Sequence, residues 1–342
     1  MVLLTRELLS GAVLSPGAFA WVLLSTCLYA SAAIAVAAQI YGREAVAFAD
    51  AISIRMLLSR RQVRPSPRPS LAVASLYTAV LFPIWFYLQS SLQRVNDHDL
   101  GALLRHSAIL MPVFFVAIPF ALLWYWRIDW RNTLSVQIPL PRLRYMLAGL
   151  LAGFTMWVVA HEVFVLQQGI LPAPDGLNEL EESFQQVLTS ERLWVLLLVV
   201  AVIPAISEEL LFRGFLMSGL RQSFHKWPIL LMSAAAFGIF HFFLFKFATT
   251  FVVGLVLGWL CWQSRSIWPA IIAHAVHNGF AVIQSRFPDW RSAVGISDDP
   301  FAHLPPLVVA GAVVLLVGVW FLARHDSTRL GRQALSLPPR RS

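Results

Sequence analysis

The chain has 342 residues, of which 58% are hydrophobic and only 13% charged, against roughly 25% charged in a soluble domain. With 24 Phe, 13 Trp and a mean hydropathy of +0.68, it is neither an ordinary soluble globule nor a disordered chain, because that much apolar surface does not stay solvated. The net charge of +8 is spread over short clusters between apolar runs rather than gathered on one basic face, which points to membrane topology and away from nucleic acid.

Nine apolar stretches are long enough to cross a bilayer as helices, about 17 to 25 residues each: 17–41, 71–92, 107–126, 144–167, 193–213, 227–245, 247–263, 267–285 and 304–323. The expected fold is therefore an all-α polytopic membrane bundle of about nine helices, eight of them from residue 71 onward. The first span has 25 residues, too long for a signal-peptide core, and Arg6 with Glu7 leaves its flank uncharged, so it is expected to remain as an anchor. Residues 44–60 read as an interfacial amphipathic helix and 61–70 (RQVRPSPRPS) as a basic, Pro-rich linker. This divides the chain into an anchor region at 1–60, the linker at 61–70, a main domain at 71–325 and a tail at 326–342. YGREAVAFADA, within residues 1–60, resembles the cytoplasmic end of a sodium-efflux-type ABC permease, which implies ABC transporter subunits as partners.

With the N-terminus outside and the C-terminus inside, the inner segments hold 19 of the 26 Lys and Arg residues. Asp175, Glu179, Glu181, Glu182 and Glu191 then share one outer loop. This is the bias of the positive-inside rule, and the expected location is the cell's inner membrane with a cytoplasmic tail. Leu177, Leu180, Phe184 and Val187 give that acidic loop the spacing of a surface helix. Gly149 with Gly153, and Gly254 with Gly258, form small-xxx-small patterns that suit close helix packing. Cys27 and Cys261 both lie in apolar runs and imply neither a disulfide nor a thiolate metal site.

The chemistry lies where polar groups occupy apolar spans. LWVLLLVVAVIPAISEELLFRGF (193–215) ends in Glu208, Glu209 and Arg213. Each ionisable group in a span costs about 2.5–3.5 kcal/mol on insertion scales, so the three require partners or a polar intramembrane cavity. Glu209 and Arg213 stand at i and i+4 and can pair. Glu208 is turned about 100° away and is the freer carboxylate, the candidate general base. Phe237 and His241 in AAAFGIFHFF share one helical face, as do His274 and Asn278 in SIWPAIIAHAVHNGF. A glutamate and a histidine can activate water while a second histidine and an asparagine donate to an oxyanion. Glu208 or Glu209 with His241 and His274 would equally supply three zinc ligands and leave one position open.

SEELLFRGF, FGIFH and HAVHN resemble the EExxxR, FxxxH and HxxxN motifs of the CPBP family, the CAAX-prenyl-protease and bacteriocin-processing (Abi-like) intramembrane endopeptidases. The resemblance is close over 193–285. It implies peptide-bond hydrolysis of a membrane-associated, CAAX-like substrate at the bilayer, with Glu208 and His241 activating water and His274 and Asn278 forming the oxyanion hole. Glu209, Arg213 and Phe237 support them. Such enzymes have been described both as metalloproteases and as glutamic proteases. The expectation here is the glutamate-activated water, with no cofactor; zinc on Glu208, His241 and His274 is the alternative. A non-catalytic subunit of an ABC exporter is the competing function.

Two further histidines, His277 and His161, stand outside this set. His277 faces about 100° from Asn278 and reads as a packing residue. His161 with Glu162 lacks the second histidine of an HExxH site, since Val165 stands there, and reads as an interfacial pair. At 1.5 Å per residue, Glu208 and His274 fall roughly 8 and 10 Å from the inner face but His241 roughly 21 Å, a mismatch within these span limits.

Overall fold

The computed structural model describes residues 16–41, 60, 64–95, 99–136, 141–170, 177–297 and 299–324. The expected interfacial helix over 44–60, apart from residue 60, lies outside them, as do YGREAVAFADA beyond Tyr41, Asp175 and the tail from 326. Twelve helices are described: α1 (Pro16–Tyr41), α2 (Leu71–Val95), α3 (Leu100–Tyr125), α4 (Trp130–Leu134), α5 (Leu143–Gln168), α6 (Leu177–Ser190), α7 (Leu193–Leu220), α8 (Lys226–Ile239), α9 (Leu244–Ser264), α10 (Trp268–Arg286), α11 (Asp289–Ala293) and α12 (Pro306–Ala323). Among the described residues there is no strand, only an isolated bridge between Ser66 and Ile128. That bridge ties residues 64–70 of the predicted linker to the turn between α3 and α4, with Asp129 N–H donating to Ser66 O at 3.0 Å.

Eight of the nine predicted spans coincide with helices, and the ninth, 227–245, is split between two. Six of the helices, α2, α3, α5, α7, α9 and α12, are long and apolar enough to cross a membrane, and the protein is an integral membrane protein. The exposed apolar side chains run in stripes consistent with lipid contact. Trp194, Leu198, Val202 and Ile206 are exposed at every fourth position of α7, while Glu209 and Arg213 of the same helix are buried. This is the one-sided pattern of a bundle helix with lipid on its outer face.

Two span limits are corrected. The predicted 193–213 span continues as one helix to Leu220, with Phe212 through Leu220 all buried. The predicted 227–245 span breaks: α8 has 14 residues, about 21 Å of rise, and the chain turns at Phe240–Phe243 before α9. The turn is made by Phe242 at φ +59°, a left-handed conformation uncommon for a bulky residue. Its ring is held by Phe82 and Phe86, with centroids 5.4 and 5.3 Å away, which offsets the backbone strain. These corrections remove the depth mismatch. Counted from the true end of α7, Glu208 lies about 18 Å in, level with His241 just past the end of α8. α10 begins inside the protein, behind the buried turn of Ser266 and Ile267.

α5 sits centrally, packed on α9, α10 and α12. The glycine patterns permit this. A Cβ on Gly149 would lie 2.4 Å from Pro269 O, and one on Gly153 2.6 Å from Val276 Cβ, both on α10. On α9, a Cβ on Gly254 would lie 3.1 Å from Ala234 Cα of α8. The acidic loop does form the expected helix, α6. Its Val187 and Leu188 are buried in a cluster with Leu196 of α7 and Val282 of α10. His161 and Glu162, toward the C-terminal end of α5, fasten the loop before α12: His161 Nε2 meets Ala302 O at 2.8 Å, and Glu162 accepts from His303 Nδ1 at 2.7 Å and from Leu304 N–H at 2.8 Å.

Candidate active site

α7 is not a regular α-helix. Wide π-type turns over Leu197–Val202 and Leu210–Leu216 flank the α-helical segment Ile203–Glu209. Pro204 contributes to the first, since it has no N–H to give to the carbonyl four residues back, Val200. That carbonyl receives a side chain from another helix: Asn278 Nδ2 of α10 donates to Val200 O at 3.1 Å. π-type turns inside α-helices occur frequently at functional sites, and here they bracket the paired glutamates.

Glu209 and Arg213 pair as their spacing predicts, Nη1 to Oε1 at 2.8 Å with both side chains fully buried. Arg213 Nη2 donates to Gly254 O at 2.8 Å, and its guanidinium lies 4.5 Å over the Phe237 ring. Glu209 also does something its local sequence does not announce. The same Oε1 accepts from His274 Nδ1 of α10 at 2.9 Å, so one buried carboxylate fixes both a guanidinium and an imidazole. Because a carboxylate only accepts, the Nδ1 proton is assigned and Nε2 is the nitrogen His274 presents. That Nε2 stands 3.9 Å from Glu208 Oε2.

Glu208 keeps a small exposed surface, 13% of its side chain, while its Oε2 is buried with no hydrogen-bond partner among the described residues. His241 follows the same logic as His274. Its Nδ1 meets Phe237 O at 2.9 Å, a carbonyl that only accepts, so Nε2 is its free basic nitrogen. Glu208 and His274 lie within electrostatic range of it. Phe237 is the common wall, with its centroid 4.8 Å from the His241 ring and 5.7 Å from the His274 ring. His274 and Asn278 share one face of α10, but Asn278 spends one amide hydrogen on Val200 O. His277 is turned away with Nδ1 buried and unpartnered.

Among the described residues no three His, Cys, Asp or Glu side chains gather closely enough to hold a metal ion. Glu208 lies 3.9 Å from His274 with His241 in electrostatic range of both, and no step below is routed through a metal.

Fold and cluster together define a polytopic α-helical membrane protein with a paired-glutamate, histidine and asparagine site sunk among its helices. Residues 190–280 match the family model described as Rce1-like, type II CAAX prenyl endopeptidase, the segment that holds the three motifs. The Bacillus subtilis (strain 168) protein named "Putative membrane peptidase YdiL" is 26% identical over 139 residues, 39% of this chain and 57% of that protein. The chain thus matches little more than half the length of that relative. No solved structure gives a significant match.

Proposed function

We propose that the protein is an intramembrane endopeptidase that hydrolyses a peptide bond of a membrane-associated, CAAX-like protein or peptide with a glutamate-activated water. The observation that carries this reading is the unpartnered, buried Oε2 of Glu208, 3.9 Å from His274 Nε2, in a cluster whose other charged groups are tied to protein partners. Glu208 takes a proton from the water as its oxygen bonds to the scissile carbonyl carbon, and His241 Nε2 accepts the water's second hydrogen and orients it. The oxyanion then receives hydrogen bonds from His274 Nε2–H and from the second amide hydrogen of Asn278. Glu208 returns its proton to the amine as the C–N bond breaks.

In this reading His274 donates from Nε2 to the oxyanion while its Nδ1–H stays on Glu209. We place the N-terminus outside and the Arg-rich ends of α7 and α9 at the cytoplasmic face of the cell membrane, following the distribution of Lys and Arg. The deciding experiment reconstitutes the purified full chain in liposomes with a fluorogenic peptide bearing either a prenylated or a plain apolar tail. Glu208→Gln is expected to unfold at the wild-type temperature and to lose cleavage by about 10²–10⁴. Wild-type cleavage by that variant would end the proposal.

A further inference from the structure

A second polar site lies away from the glutamates, at the end of the bundle where α7 and α9 stop. Arg68, Arg131, Arg221 and Arg265 come from four separate segments and line one cavity of about 430 Å³, with Asn132 and Ser135 completing its polar wall. That volume is within the range of small-molecule sites. Among the described residues none of the four guanidiniums has a carboxylate within ion-pairing distance. Asp129, two residues before Arg131, is spent on the start of α4, where it accepts from the Arg131 and Asn132 backbone N–H groups and from Asn132 Nδ2. Arg221 lies 5.1 Å over the Trp262 ring, and its Nε is buried without a partner. Burial, and beside it the Arg68 and Arg265 charges, hold this guanidinium below the ordinary arginine range.

Backbone conformation adds an independent observation. Ser135 and Arg265, both lining the cavity, each adopt φ +53° where α4 and α9 end. Glycine is the residue that closes helices in this conformation without strain. The two turns are joined, Ile267 N–H donating to Ser135 O at 3.2 Å. A site that sets an arginine where glycine would fit more easily is holding that side chain for its charge, since strain of this kind persists where the surroundings enforce it.

We propose that this cavity binds a phosphate group. Four convergent guanidiniums supply the forked donors that phosphate oxygens take, and basic pockets between membrane helices suit anionic headgroups. The group can arrive on an anionic lipid or as soluble phosphate, and the test separates the two. The full chain is placed in phosphatidylcholine nanodiscs, and its thermal unfolding is followed with phosphatidylglycerol replacing part of the lipid. In parallel, inorganic phosphate is titrated at constant ionic strength. The expected result is a saturable rise in Tm with phosphatidylglycerol. A rise with phosphate alone supports the site equally and assigns a soluble ligand. Arg265→Gly is expected to keep or raise the Tm in phosphatidylcholine, because glycine relieves the left-handed turn, while weakening the apparent affinity for the ligand about fivefold. Arg131→Gln, at an exposed position, provides the same comparison if the first variant folds poorly. No rise with either probe, or a rise of wild-type size and midpoint in both variants, overturns the proposal.

Discussion

Asn278 donates its side-chain amide to the main-chain oxygen of Val200, 78 residues earlier, at 3.1 Å, and Pro204 is the reason that oxygen needs a donor. The asparagine therefore closes a gap in the α7 ladder as well as facing the site. Asn278→Ala is expected to cost about 1 kcal/mol by leaving a half-buried carbonyl unsatisfied, and to lower kcat about 10²–10³ through the lost oxyanion contact. Adding Pro204→Ala restores a backbone donor, so the double variant should recover thermal stability without recovering kcat. Recovery of both would assign Asn278 a purely structural part.

The two glutamates should separate in stability. Glu209→Gln strips the charge from a fully buried pair and leaves Arg213 uncompensated, an expected loss of about 3–5 kcal/mol. Glu208→Gln removes a carboxylate whose Oε2 has no partner, and the fold should not register it. Thermal unfolding of both variants in one detergent checks the contrast. A double Glu209→Gln, Arg213→Met variant should regain much of the loss while remaining inactive, since His274 loses its anchor.

Helix contact through glycine gives a third test. Gly149→Ala places a Cβ 2.4 Å from Pro269 O, against backbone that cannot swing aside, so α5 and α10 must part. The expected cost is about 1–3 kcal/mol, with a fall in kcat because α10 carries His274. Gly258→Ala meets only the end of Leu230, at 3.2 Å, and should be tolerated. Unfolding temperatures of the two single variants measure the difference.

Orientation can be read by labelling. A cysteine at Ser297 is expected to react with a membrane-impermeant maleimide in intact cells, and one at Asn132 only after permeabilisation. The reverse pattern would invert the topology proposed above.

Chelation bears on the mechanism. Treatment of the purified protein with a strong chelator, with elemental analysis confirming removal, is expected to leave cleavage unchanged. Loss of cleavage restored by zinc would assign the metal to Glu208, His241 and His274 instead.

Much of this architecture is legible in the sequence, because lipid imposes length and apolarity on every crossing. The i, i+4 spacing anticipates Glu209 with Arg213, Phe237 beside His241, and His274 with Asn278 on one face. What the sequence does not display is nonlocal or irregular. The bond from Glu209 to His274 spans 65 residues. The break after Ile239 is made by a left-handed Phe242, four residues past Gly238 and with no proline near it. Asn278 reaching Val200 depends on π-type turns that a uniform 3.6-residue period passes over. Pro204 is the one visible signal for them. The arginine cavity assembles from four segments, of which only the one with Arg68 stands out as basic in the sequence.

The wide turn at Leu197–Val202 has a consequence for how such chains can diverge. A π-type turn is equivalent to one extra residue accommodated in an otherwise α-helical ladder. Removing one residue there would let the ladder close regularly while the helix on either side kept its register, so Glu208 could stay beside His274. A residue removed from the regular stretch Ile203–Glu209 has no such slack, and would turn Glu208 by about 100° and shift it by about 1.5 Å. Either deletion would be nearly silent to hydropathy, yet only the second would take the site apart. The wide turn is therefore where this helix can change length, and the seven residues after it are where it cannot.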